Sequence, residues 1–304
     1  MSVTLSVSTM QLSTVSLEQA LLMTLAYSDI FDYPLTLEET HRYLHGVSCT
    51  LEEARICLTS SNKIEYKNGY YFLPGRGHIV TLRQSREEIS RRAYEHAMLY
   101  GRILGKLPFI RMVAMTGSLA VRNCDETGDY DYMLVTSIGR VWTARALALL
   151  LNRFARLFGH TLCPNLIVSE RSLEWPEQSL YLAREIHQMV LIAGEDVYRR
   201  VLESNQWTKN YLPNSGSDVS QVCMTSKIWK GFEHSPFIDR IEAWEMNRKI
   251  ARFTRQAGFG VETVFNEDVC QGNFDHHAKW TGEQYQNRLR ELGLETSSTM
   301  ERHQ

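Results

Sequence analysis

Met115-Thr116-Gly117-Ser118 closes an apolar run that begins at Phe109, and after a short polar interval the chain reads Asp129-Tyr130-Asp131-Tyr132 and runs on into Met133-Leu134-Val135. The two apolar runs predict strands over 109–115 and 130–136, with a Gly-Ser turn and a short helix between them and a further helix from about Arg140 to Phe158. Strands alternating with helices indicate an α/β domain. Strand side chains alternate between faces, so Asp129 and Asp131 share one. Two carboxylates on one face suit Mg2+, a hard cation that keeps several waters and binds through one or two carboxylates plus substrate phosphates. Gly117 and Ser118 lie where a strand passes into a helix, and there free backbone N–H groups and the helix dipole favour an anion. Glycine lets a phosphate come close to the backbone, and Ser118 adds a hydroxyl donor. A triphosphate anchored at Gly117 and Ser118 would present its reacting phosphorus to metals held by Asp129 and Asp131, the arrangement of two-metal in-line displacement. The implied reaction is nucleotidyl transfer. A competing reading makes Asp125, Glu126 and Gly128 a solvated turn before an ordinary core strand, but it does not explain why the acids continue into the strand, where Asp is disfavoured.

A hydrophobic strand, Gly-Ser, a short helix and Asp-x-Asp together resemble the nucleotidyltransferase superfamily typified by DNA polymerase beta. The resemblance extends to winged-helix-bearing bacterial and archaeal nucleotidyltransferase-like proteins. It is carried by Gly139-Arg140-Val141-Trp142-Thr143-Ala144-Arg145, Cys163-Pro164-Asn165 and Tyr181-Leu182-Ala183-Arg184-Glu185-Ile186, and covers most of the chain up to about Leu212. It implies Mg2+, a nucleoside triphosphate substrate and a third carboxylate acting as general base from an apolar-acid-apolar setting on a later strand. Leu166-Ile167-Val168-Ser169 has no internal acid, which departs from that pattern. Glu170 at its end is the candidate third catalytic carboxylate; Asn165 lies at its start. Between Ile138 and His160 stand four arginines and no acid. Arg140 and Arg145 are candidates to pair with the triphosphate or the acceptor, because guanidinium binds phosphate oxygens in a bidentate way. Arg153 and Arg156 read as a solvated outer face, and Arg184 and Glu185 as structural.

Working outward, Leu17, Ala20, Leu21 and Leu25 recur at helical spacing behind a capping Ser16; Thr36 and Thr50 begin two further helices. Lys67-Asn68-Gly69 between alternating apolar residues predicts a hairpin. Three helices and a hairpin predict a winged-helix-like unit, whose third helix carries Arg55 but also Glu52 and Glu53, so DNA binding through it is not favoured. The fold expected is α+β: a flexible tail over 1–15, a winged-helix-like unit over 16–76, a connecting helix over 77–107, a nucleotidyltransferase-like α/β domain with a small mixed sheet over 108–212, and a linker with a C-terminal helical region over 213–304. Adjacent His276 and His277 read as surface or capping residues, since neighbours on a helix point about 100° apart.

With 304 residues there is room for two or three domains. Thirty-three Lys and Arg against 35 Asp and Glu give a net charge of −2, so any phosphate or nucleic-acid site must be local. No apolar run reaches the roughly 18–20 residues that span a bilayer, and 1–16 lacks the basic start and apolar core of a secretory signal, so no membrane association and a cytoplasmic location are expected. Six scattered cysteines without a CxxC pair predict free thiols. The function expected is Mg2+-dependent transfer of a nucleoside monophosphate to an acceptor hydroxyl on a small molecule, a protein or an RNA. The alternative is a winged-helix regulator or nucleotide sensor with a weakened nucleotidyltransferase domain.

Overall fold

Three Ser or Thr residues are each followed three positions later by Gln or Glu, and each pair closes a reciprocal capping box in the computed structural model. Ser16 and Gln19 start α1 (Leu17–Asp29), Thr36 and Glu39 start α2 (Leu37–Arg42), and Thr50 and Glu53 start α3 (Leu51–Ser60). The structure describes residues 15–126, 128–216, 235–256, 258–260, 262–274 and 276–294. Nearly all of the expected tail, Cys223 and the end of the expected linker lie outside them. Strands β1 (Glu65–Lys67) and β2 (Tyr70–Phe72) form the predicted hairpin. Asn68 and Gly69 both have positive φ (52° and 90°), as a two-residue turn matched to strand twist requires. The long helix α4 (His78–Leu104) is tied to these elements by buried Arg83, which bonds Glu39, Glu87 and the Pro34 carbonyl between the rings of Tyr33 and Tyr70.

Then come β3 (Ile110–Met115), α5 (Gly117–Ala120), β4 (Tyr130–Thr136), α6 (Val141–Ala155) with a 3-10 turn over Arg156–Phe158, and β5 (Leu162–Ser169). Next are α7 (Leu180–Gln188), β6 (Val190–Ala193), α8 (Glu195–Ser204), α9 (Thr208–Tyr211), α10 (Pro236–Phe253), β7 (Thr263–Phe265), β8 (Val269–Gly272) and α11 (His277–Glu291). The chain is thus α+β, with one mixed six-stranded sheet ordered β6-β3-β4-β5-β8-β7. β3 and β4 are antiparallel, whereas β4 and β5 are parallel, joined through α6.

Alternation along β3 and β4 divides the core. Val113, Met115, Tyr132 and Leu134 pack with Ala97 and Leu104 of α4 and Trp142, Ala144 and Ala148 of α6. Met112, Ala114, Met133 and Val135 pack on the other face with Ile186 of α7 and Val197 and Val201 of α8. The expected C-terminal helical region contains α10 and α11 but also two strands: β7 and β8 extend the sheet beyond β5, and α11 packs Tyr285 and Leu289 against Leu21 and Leu25 of α1. β6 was also not expected; its apolar run is only four residues, between two helices. Among the described residues no helix is long and apolar enough to cross a membrane, and the five described cysteines are free.

Candidate active site

Thr116 follows β3 in extended conformation as the N-cap of α5, and Gly117 turns left-handed at φ 67°, so the chain passes from strand to helix within one residue. The Thr116 N–H donates to the Asp131 carbonyl at 3.0 Å, so the turn and Asp131 are held side by side. A Cβ on residue 117 would collide with Asp131 Oδ2 and lie only 3.1 Å from its Cγ and 3.2 Å from its Cβ. Glycine is therefore required twice, by the backbone angle and by the close approach of a carboxylate. Ser118 is exposed beside it, with its carbonyl accepting from the Asn123 N–H at 2.8 Å. The Thr116 hydroxyl is buried here without a protein partner.

Asp129 is exposed one residue ahead of β4, and Asp131 is half-buried as its second residue, on the face shared with Met133 and Val135. Across the parallel pair Asp131 faces Cys163, while Met133 faces Leu166, so β5 carries an extra residue at Pro164-Asn165. Proline has no N–H for the ladder, which fits a bulge there. The bulge lets the Asn165 amide donate to Asp131 Oδ1 at 3.4 Å. Burial, then the charges of Asp129 and Glu185, push the Asp131 carboxyl up to about 7 against a hydrogen bond from Cys163. Burial beside the same two aspartates pushes the Cys163 thiol up to about 12.

Sequence reasoning took Glu185 as structural. It stands one turn from Tyr181 on α7, and its charge acts on both Tyr181 and Asp131. Burial raises Glu185 to about 7, with neighbouring Arg184 and a hydrogen bond from Gln188 pulling it down. The only sequence signal is the polar stripe Tyr181, Glu185 and Gln188 beside the buried Ala183 and Ile186. Arg184 matches the structural expectation: it lies between the rings of Tyr43 (4.0 Å) and Tyr27 (4.9 Å) and donates to Ser28 Oγ.

Gly117, Ser118, Asp129 and Asp131 are thus brought together, whereas Glu170, Arg140 and Arg145 are not. The Glu170 N–H bonds the Thr136 carbonyl at the far end of β4, roughly 16 Å along the strand from Asp131. Its carboxylate is held by Arg111 (3.2 Å) and Arg200 (2.8 Å). The candidate third carboxylate is therefore corrected: Glu170 lies away from Asp129 and Asp131 and is paired with arginines. Arg140 sits past the same far end, buried, with Nη2 2.7 Å from Asp239 Oδ1. The N-terminus of α6 that it precedes is already capped by Glu242, which accepts from the Trp142 N–H (2.8 Å) and the Thr143 N–H (2.6 Å). Arg145 lies on the opposite face of the sheet over the Phe253 ring and hydrogen-bonds Cys270. His276 occupies the N-cap position of α11, where Glu262 accepts from the Ala278 and Lys279 N–H groups.

Among the described residues no three His, Cys, Asp or Glu side chains converge on one point. Around the Gly117 turn lie the carboxylates of Asp129 and Asp131, the Asn165 amide that donates to Asp131, and the Cys163 thiol hydrogen-bonded to the same carboxyl. The two carboxylates fit Mg2+, which binds through one or two carboxylates and completes its shell with water and phosphate. Comparison of the chain with protein-family models, curated proteins and solved structures finds no match.

Proposed function

We propose that this chain is a Mg2+-dependent nucleotidyltransferase that moves a nucleoside monophosphate from a nucleoside triphosphate to an acceptor hydroxyl. The observation that carries the reading is the Gly117 turn packed against the Asp131 carboxylate, where any other residue would displace that carboxylate. Asp129 and Asp131 would hold the metal, which when bound supplies charge to the phosphate oxygens. The backbone of Gly117 and the hydroxyl of Ser118 orient the triphosphate. The Thr116 hydroxyl, buried without a partner one residue before Gly117, is a further candidate donor. As the acceptor oxygen bonds to the α-phosphorus, pyrophosphate leaves and the acceptor loses a proton. Glu185, raised to about 7 and within charge range of Asp131, is suited to hold that proton near neutral pH.

A second reading, a nucleotide-binding regulator with weak transfer, is favoured by one observation: the residues of β5 beside Asp131 are Cys163 and Asn165, neither an acid. Its DNA-binding form draws little support from α3, where Arg55 is bound to Glu52 and Glu53 is exposed. Incubation with labelled nucleoside triphosphates, Mg2+ and candidate acceptors separates the two. Pyrophosphate release that depends on Asp131 supports the transferase; tight binding without release supports the regulator.

A further inference from the structure

The C-terminal end of α6 carries an apolar surface that the transferase reading does not use. Leu150 and Phe154, four residues apart, share one face of α6, and Leu157 and Phe158 follow in the 3-10 turn that continues it, making an apolar stripe at this end. They are 51%, 57%, 78% and 75% exposed. Single exposed apolar residues are ordinary; four large ones within nine residues of chain are not. Gly159, at φ 79°, ends the 3-10 turn, so Leu157 and Phe158 project from a helix end and not from a flat face. Beyond the stripe, the His160 ring meets the ring of His96 on α4, the helix that also carries Leu99, 52% exposed.

Charge and area point to its occupant. Arg153 and Arg156 flank the stripe, are exposed, and make no ion pair among the described residues. The chain from Tyr132 to Ser169 contains no acid. Taking the roughly 150–250 Å² an aromatic side chain can bury as a guide, the stripe offers on the order of 500 Å². A stable dimer needs roughly 800 Å² per partner. A small, protruding surface with aromatic residues at its tip and arginines at its rim matches the interfacial zone of a bilayer, where aromatic rings sit among headgroups and basic residues meet anionic lipid.

We propose that this end of α6 docks the protein on a membrane surface that carries anionic lipid, lying on the bilayer without crossing it. The inference is independent of the transferase reading. It is tested by flotation of the full chain with vesicles of phosphatidylcholine alone and of phosphatidylcholine with phosphatidylserine. The chain should float with the anionic vesicles only, and less so at high salt. Arg153→Gln with Arg156→Gln should weaken partition about thirtyfold. Leu157→Ser with Phe158→Ser should weaken it at least about tenfold, with the thermal melt unchanged because both side chains are exposed. A wild-type chain that stays unbound at low salt, equal binding to neutral vesicles, or variants that bind like wild type would overturn the proposal. So would a concentration-dependent dimer in sedimentation that Leu157→Ser with Phe158→Ser abolishes, since it assigns the surface to a second copy.

Discussion

Asp131→Asn should make the ligand-free protein more stable at alkaline pH while removing its affinity for Mg2+ and nucleotide. The Asp131 carboxyl titrates near 7 in the folded chain instead of near its ordinary 3.8, because it is buried beside Asp129 and Glu185. Between those values the folded protein binds a proton that the unfolded chain has already released. Its contribution is therefore fully present below about pH 4 and is lost as pH rises through about 7. The difference corresponds to a ceiling of about 4 kcal/mol above pH 7. Asp131 keeps some contact with solvent, which reduces the expected effect to about 1–2 kcal/mol. Urea unfolding of wild type and variant without Mg2+, at about pH 4 and about pH 8, reads it directly. The two should match within error at the acid end, and the Asn variant should be the more stable at the alkaline end. A variant less stable than wild type at about pH 8, or a difference that does not change with pH, would refute the argument that an ionised Asp131 is held at a cost for the sake of a cation.

Gly117→Ala should cost about 1–2 kcal/mol of stability from the left-handed backbone and weaken Mg2+-dependent nucleotide binding at least about tenfold, because the methyl group displaces the Asp131 carboxylate; wild-type affinity by calorimetry would put the phosphates elsewhere. Glu170→Gln should leave nucleotide binding unchanged and cost about 1–2 kcal/mol in urea unfolding, since it loosens Arg111 and Arg200 far from Asp131. Loss of binding in that variant would return Glu170 to the site. Glu242→Ala should lower stability by about 1–2 kcal/mol by uncapping α6, and an unchanged melting temperature would show the cap to be dispensable.

What could be read in the sequence was local. Capping pairs three residues apart and the Asn68-Gly69 turn carry their own geometry, so the helices and hairpin of the N-terminal part were legible. The pairing of Gly117 with Asp131 was legible for a related reason: a short connection between antiparallel neighbours leaves few ways to place one beside the other. Glu170 was misplaced because its position depends on register. The bulge at Pro164-Asn165 and the parallel alignment of β4 with β5 set Cys163, and not the end of β5, opposite Asp131. Arg140 and Arg145 look available in a segment without acids, yet their partners come from α10 and β8, about a hundred residues later. Glu185 reads as an ordinary helix residue because its burial comes from the packing of α7 and not from its neighbours in sequence. β7 and β8 are three and four residues long and gain stability only as an extension of β5, which no local pattern announces.

Calorimetric titration of ribonucleoside triphosphates into the full chain, with Mg2+ and with a chelator, compared between wild type and Asp129→Asn with Asp131→Asn, tests most directly whether the Gly117 turn and the two aspartates form a metal-nucleotide site. Wild type should bind a nucleoside triphosphate only with Mg2+ present, and the doubly substituted chain should lose that binding while unfolding no earlier than wild type. Nucleotide binding that survives both the chelator and the double substitution, or no binding by wild type under any of these conditions, would contradict it.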